Sequence, residues 1–155
     1  MKIIYHCYGG SHSSITVAGI HLGFLSVDRQ PTTEELLRLP YYDETTLGDH
    51  GILHFMGQDE KGNQVFAVGK RNLGDKFGPI VRGIAALIGI TGKDLMVVNA
   101  LSCVNLPMKV GGFISRRMGL VRLGRPIVIW GTKLAFPRMV NLVKMVKQQA
   151  EGETG

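Results

Sequence analysis

The residues Cys7-Tyr8-Gly9-Gly10-Ser11-His12-Ser13-Ser14 combine a thiol, two adjacent glycines, three serine hydroxyls and an imidazole. They follow an apolar run, Lys2-Ile3-Ile4-Tyr5-His6, and precede another, Ile15-Thr16-Val17-Ala18-Gly19-Ile20. A strand that turns into a helix through small residues aims several backbone N–H groups, and the positive end of the helix dipole, at one point. That point suits a phosphate. A thiolate beside it is stabilised as a nucleophile. The expectation is a P-loop-like anion cradle. Gly9, Gly10, Ser11, Ser13 and Ser14 would bind phosphate, Cys7 would attack, and His12 would carry a proton.

Three known phosphate loops bear comparison. The Walker loop, G-x-x-x-x-G-K-[ST], needs a lysine. Placing His12-Ser13 at its last two positions leaves His6 and Ser11 where glycines belong, and no lysine. The segment also resembles the C-x5-R loop of low-molecular-weight tyrosine phosphatases at Cys7 and Gly9. Ser13, however, stands where that loop has the arginine that grips phosphate and stabilises the transition-state charge. Finally, Cys7, Gly10, Ser13 and Ser14 resemble the loop of IIB-type sugar phosphotransferase subunits. That resemblance implies a phosphocysteine held by N–H groups and hydroxyls alone. The missing cation would have to come from elsewhere in the fold. Arg116 and Arg117 in Ser115-Arg116-Arg117, and Lys133, are the candidates.

Asp49-His50-Gly51-Ile52-Leu53-His54 offers a second set of titratable groups. His50, at a loop–strand junction next to Asp49 and near Asp43, is a candidate catalytic acid–base. His50 and His54 share a strand face, but spacing implies no third ligand, so no metal is expected. His54 reads as a core histidine and His21 as a surface or packing residue. Cys7 and Cys103 form no C-x-x-C pair and fit free thiols in a reducing compartment.

Positioning these groups requires a folded domain, and the composition allows one. Of 155 residues, 45% are hydrophobic and 19% charged, outside the disordered class. No apolar run reaches the ~18 residues of a membrane span, and the N-terminus lacks a secretory-leader pattern. A cytoplasmic protein without a membrane role is the expectation. The charge is segregated. Residues 1–69 hold four basic and eight acidic residues; residues 70–155 hold fourteen and four, for a total of +6. The basic half could meet nucleic acid or another acidic partner.

Apolar runs predict strands at 2–8, 95–101 and 126–131, and a hairpin from 51–57 and 64–69. Helices are expected at 14–25 (capped by Ser13 or Ser14), 31–40 (with a Thr32/Glu35 capping box), 73–89, 107–119 and 137–150. Tyr41 to Asp49 reads as a polar, mobile loop. The whole predicts one α/β domain over 1–150, with a mainly parallel central sheet flanked by helices, an inserted β-hairpin and a frayed tail at 151–155. Ligands of such sheets bind beyond the carboxyl ends of the strands, where Cys7 to Ser14 lie.

The segment Tyr5-His6-Cys7-Tyr8-Gly9-Gly10-Ser11-His12-Ser13-Ser14, with Leu39-Pro40-Tyr41-Tyr42-Asp43, Asp49-His50-Gly51 and Met56-Gly57-Gln58-Asp59-Glu60-Lys61-Gly62-Asn63, resembles the domain of unknown function 3189 family. These are short proteins of spore-forming Gram-positive bacteria. The resemblance spans the chain and implies no activity or cofactor. The residues themselves point to a phosphorylated small molecule or nucleotide as ligand, with phosphoryl transfer or hydrolysis as the reaction class if the protein is an enzyme. The alternative is a non-catalytic regulatory or binding module that contacts nucleic acid or a protein partner through the basic C-terminal half.

Overall fold

The structure, a computed structural model, describes residues 1–154, with all side chains except those of Leu47, Glu153 and Thr154. Among the described residues, four strands form one sheet: β1 (Lys2–Cys7), β2 (His54–Gln58), β3 (Gln64–Gly69) and β4 (Leu95–Asn99). Their spatial order is β2-β3-β1-β4. β1 runs parallel to β3 on one side and β4 on the other, while β2 is antiparallel to β3. The hairpin is therefore no appendage, since its second strand is the direct neighbour of β1. The chain leaves β1 to build first one flank and then the other, so the carboxyl end of β1 is a topological switch point.

Among the described residues, five α-helices surround the sheet: α1 (Ser13–His21), α2 (Thr33–Leu37), α3 (Phe77–Leu87), α4 (Leu106–Gly112) and α5 (Val121–Thr154). A π-helical turn, Phe113–Arg117, follows α4. Ile3, Tyr5, Val65, Ala67, Met96 and Val98 point into the larger core beneath α1 and α5. Ile4, Val68 and Leu95 face the opposite side, where Phe77 and Ala85 of α3 cover them. This alternation follows from the two-residue period of a strand.

The expected strand over 126–131 is helix. Pro126-Ile127-Val128-Ile129-Trp130 is short, β-branched and apolar, a pattern that does not separate a strand from a buried helix. The burial pattern does. Val128, Thr132, Ala135, Met139, Val143, Val146 and Ala150 are all buried at helical spacing, making one stripe along α5. Pro126 and Pro137 lie inside this helix. Gly111 of α4 and Gly124 of α5 serve the packing around them. A Cβ on Gly111 would stand 2.4 Å from Val128 N, and one on Gly124 would stand 2.3 Å from Ser115 N. Only glycine lets these two helix backbones come so close.

The cap of α1 also differs from expectation. His12 occupies the N-cap without a side-chain cap bond, and Ser13 and Ser14 are the first helical residues. The capping box of α2 is present, with both Thr32–Glu35 bonds formed. Within Tyr41 to Asp49, Tyr42, Asp43 and Thr45 are buried, whereas Tyr41, Glu44, Thr46 and Gly48 are exposed. α5 extends through Thr154, and Gly155, the end of the expected frayed tail, lies outside the described residues. Among the described residues, no helix is long and apolar enough to cross a membrane.

Candidate functional site

β1 ends at Cys7, and the chain doubles back through Gly9 and Gly10 before entering α1. The turn is tight enough to press on the end of β3. Gly10 has φ +72°, and a Cβ there would lie 2.6 Å from Gly69 N; a Cβ on Gly69 would lie 2.7 Å from the Gly9 carbonyl. Glycine is thus required on both sides of the contact. The result delivers the Cys7 sulfur to the start of α1. Gly10 N donates to Cys7 Sγ at 3.1 Å, and Ser14 Oγ lies 3.2 Å from it.

Above the sulfur is a cavity of about 580 Å³, within the size range of small-molecule sites. Cys7, Gly9, Ser11, His12 and Ser13 contribute to its lining, as do His50, Arg116 and Arg117. The structure thereby brings together most of the residues singled out from the sequence. Gly10 and Ser14 sit behind the lining and act on Cys7. Among the described residues, the backbone N–H groups of Ser11, His12, Ser13 and Ser14 have no hydrogen-bond acceptor. Ser13 is almost wholly buried and lines the cavity.

His12 is held from behind. Its Nε2 lies 3.0 Å from Asp43 Oδ1, and its ring meets Tyr42 edge-on. The ring edge carrying Nδ1 lies close to Gly112, where a Cβ would stand 3.6 Å from it. An Asp43 carboxylate favours the proton on Nε2, which leaves Nδ1 as the ring's acceptor. Asp43 is itself a hub. Ser115 Oγ donates to it at 2.9 Å, Arg125 Nε donates at 2.7 Å, and Arg116 Nε lies 3.2 Å away. Burial raises the Asp43 carboxyl's affinity for a proton, but the bonds from His12, Arg125 and Ser115 outweigh it and hold the group well below the usual carboxylate range. Tyr41 and Asp43 both have positive φ, at 64° and 54°. This uncommon backbone turns the carboxylate inward. Arg116 also donates to the Thr45 carbonyl at 3.3 Å, and the Thr45 hydroxyl bonds Ser11.

Two cations that the sequence did not single out, Arg71 and Lys109, join the lining. Arg71 follows β3 directly, so the strand-end rule locates it once β3 is seen as a central strand. Asp43 was linked to His50 by proximity in sequence; in space it belongs to His12. No local pattern marks a buried carboxylate whose partners lie 31 to 82 residues away. Lys133 is not brought to the cavity. It lies on α5, where its Nζ donates to Thr33 Oγ1 at 3.1 Å, beside a separate groove. His50 lines the cavity rim against Tyr8, whereas His54 stacks near Tyr41. Among the described residues, no group of three or more His, Cys, Asp or Glu side chains is placed to hold a metal ion.

Neither the curated proteins nor the solved structures provide a match to this chain. Residues 2–148 do match the family described as protein of unknown function DUF3189, and the chain belongs to that family.

Proposed function

We propose that the cavity binds the phosphate of a phosphorylated small molecule and that Cys7 accepts the phosphoryl group from it. The observation that carries this reading is the placement of the Cys7 sulfur at the base of a cavity whose charged lining is wholly basic: Arg71, Lys109, Arg116 and Arg117. The open N–H groups of Ser11 to Ser14 and the Ser13 hydroxyl supply neutral donors for the same anion. Arg116 and Arg117 supply the guanidinium charge that the loop itself lacks.

In the reaction, the Cys7 sulfur attacks phosphorus and an S–P bond forms as the P–O ester bond breaks. The leaving oxygen takes a proton from His12 Nδ1 when the ring carries two. Water then attacks phosphorus with its proton returned to His12, the S–P bond breaks, and inorganic phosphate and the Cys7 thiolate are restored. His50 at the rim is a second proton carrier within the same lining.

Oxygen exchange tests this without a chosen organic substrate. Inorganic phosphate in isotopically labelled water should acquire label through a reversible phosphocysteine. Cys7→Ser should bind phosphate yet exchange nothing. Exchange that survives in Cys7→Ser would remove the nucleophile, and absence of phosphate binding by the wild type would remove the site. Salt-sensitive binding of nucleic acid by the unaltered protein, with no phosphate binding, would favour the regulatory reading. Against that reading, internal pairs occupy part of the basic half: Arg125 with Asp43 and Lys147 with Glu60.

A further inference from the structure

The phosphate is a small part of what the cavity can hold, and the rest of its lining has a distinct chemistry. A tetrahedral oxyanion of five heavy atoms leaves most of about 580 Å³ for the organic group. Leu101, Val104, Met108 and Phe113 contribute that lining, from the turn after β4 through α4 to the π-helical turn. Phe113 is about half exposed, with the Arg117 guanidinium 5.9 Å from its ring centre. Among the described lining residues there is no Asp, Glu, Asn or Gln.

This last point discriminates between ligands. A sugar presents several hydroxyl donors, and a nucleobase presents a polar edge. Both need side-chain acceptors or amides to replace water, and a buried donor left unpaired is costly. The hydroxyl and imidazole acceptors lie on the loop side with Cys7, whereas Leu101, Val104, Met108 and Phe113 offer no hydroxyl, carboxylate or amide, which matches an oxyanion joined to a group with no hydroxyls of its own.

We infer that the ligand is a phosphomonoester of a flat, apolar group, an aryl phosphate in chemical class, with its ring against Phe113, Val104 and Met108. This rests on the phosphate-binding reading above and adds the identity of the organic part.

Calorimetric titration of the whole chain with four probes tests it: inorganic phosphate, methylphosphonate, phenylphosphonate and adenosine monophosphate. The phosphonates cannot be hydrolysed. Phenylphosphonate should bind at least about tenfold more tightly than methylphosphonate, the effect of partly burying a phenyl ring. Phe113→Ala, at a half-exposed position, should lose most of that margin while inorganic phosphate still binds. Equal binding of the two phosphonates, or tighter binding of adenosine monophosphate, would overturn the aryl assignment while inorganic phosphate binding leaves the phosphate site standing. No binding of any probe would overturn both.

Discussion

Asp43 Oδ1 lies 3.0 Å from His12 Nε2, joining the loop after α2 to the residue that caps α1. The same carboxylate takes Arg125 and holds Arg116 at the cavity. One buried charge therefore fixes the proton carrier and a phosphate-binding cation together.

Asp43→Asn should weaken both structure and chemistry. It leaves the Arg116 and Arg125 charges without their counter-ion. Both arginines are partly exposed, so a loss of roughly 2–3 kcal/mol is expected, below the ~3–5 kcal/mol of a fully enclosed pair. Urea unfolding measures it. Exchange of phosphate oxygen should slow by about a hundredfold, since the histidine loses the partner that orients it. The stabilising contribution of Asp43 is complete above the ordinary carboxylate pKa of about 4 and is lost as pH falls toward its depressed folded value.

Arg116 and Arg117 should differ in rank. Arg116 is fixed by Asp43 and the Thr45 carbonyl, whereas Arg117 rests on Phe113. A guanidinium already held in place loses less entropy on binding an anion. Arg116→Ala should therefore weaken phosphate binding by about tenfold or more, and Arg117→Ala by less. Titration calorimetry on both variants decides the order; equal losses would contradict it.

Gly69→Ala should damage the loop from outside it. The added Cβ would meet the Gly9 carbonyl at 2.7 Å, and that obstacle is backbone. The expected cost is about 1–3 kcal/mol from overpacking, together with a marked loss of phosphate affinity as the Gly9–Gly10 turn moves. An unchanged melting temperature and affinity would show that the turn is not held there.

His6 predicts a second acid window, above that of Asp43. It is buried against Phe77, its Nδ1 has no partner, and burial with the nearby Lys70 charge brings its pKa down to about 4. The fold therefore favours the neutral ring. Between about pH 6.5 and 4 the unfolded chain binds more protons, so stability falls as pH falls through that range. His21 is lowered in the same direction, chiefly by burial. The melting temperature should drop over this window, and by less in His6→Leu.

Much of the site was legible before its fold. Cys7, the glycines and the serines follow one another along the chain, so a local pattern of residue types reports a local structure. The capping box at Thr32 and Glu35 was readable for the same reason. What failed depended on distance or on ambiguity of period. The run at 126–131 carries strand-like residues, and only the stripe it continues through Ala150 marks it as helix. Lys133 was placed at a strand end because of that run. Asp43 and Arg125 are 82 residues apart, and nothing near either announces the other. The serines were expected to cap α1; instead Ser14 serves the Cys7 sulfur, and Ser13 opens to the cavity.

The most direct test of the central claim is a crystal structure determined with saturating phosphate. The account predicts a tetrahedral anion on the N–H groups of Ser11 to Ser14, within van der Waals reach of Cys7 Sγ and touching Arg116. Phosphate seated elsewhere, for example beside Lys133, with the Ser11–Ser14 amides still unoccupied, would contradict it.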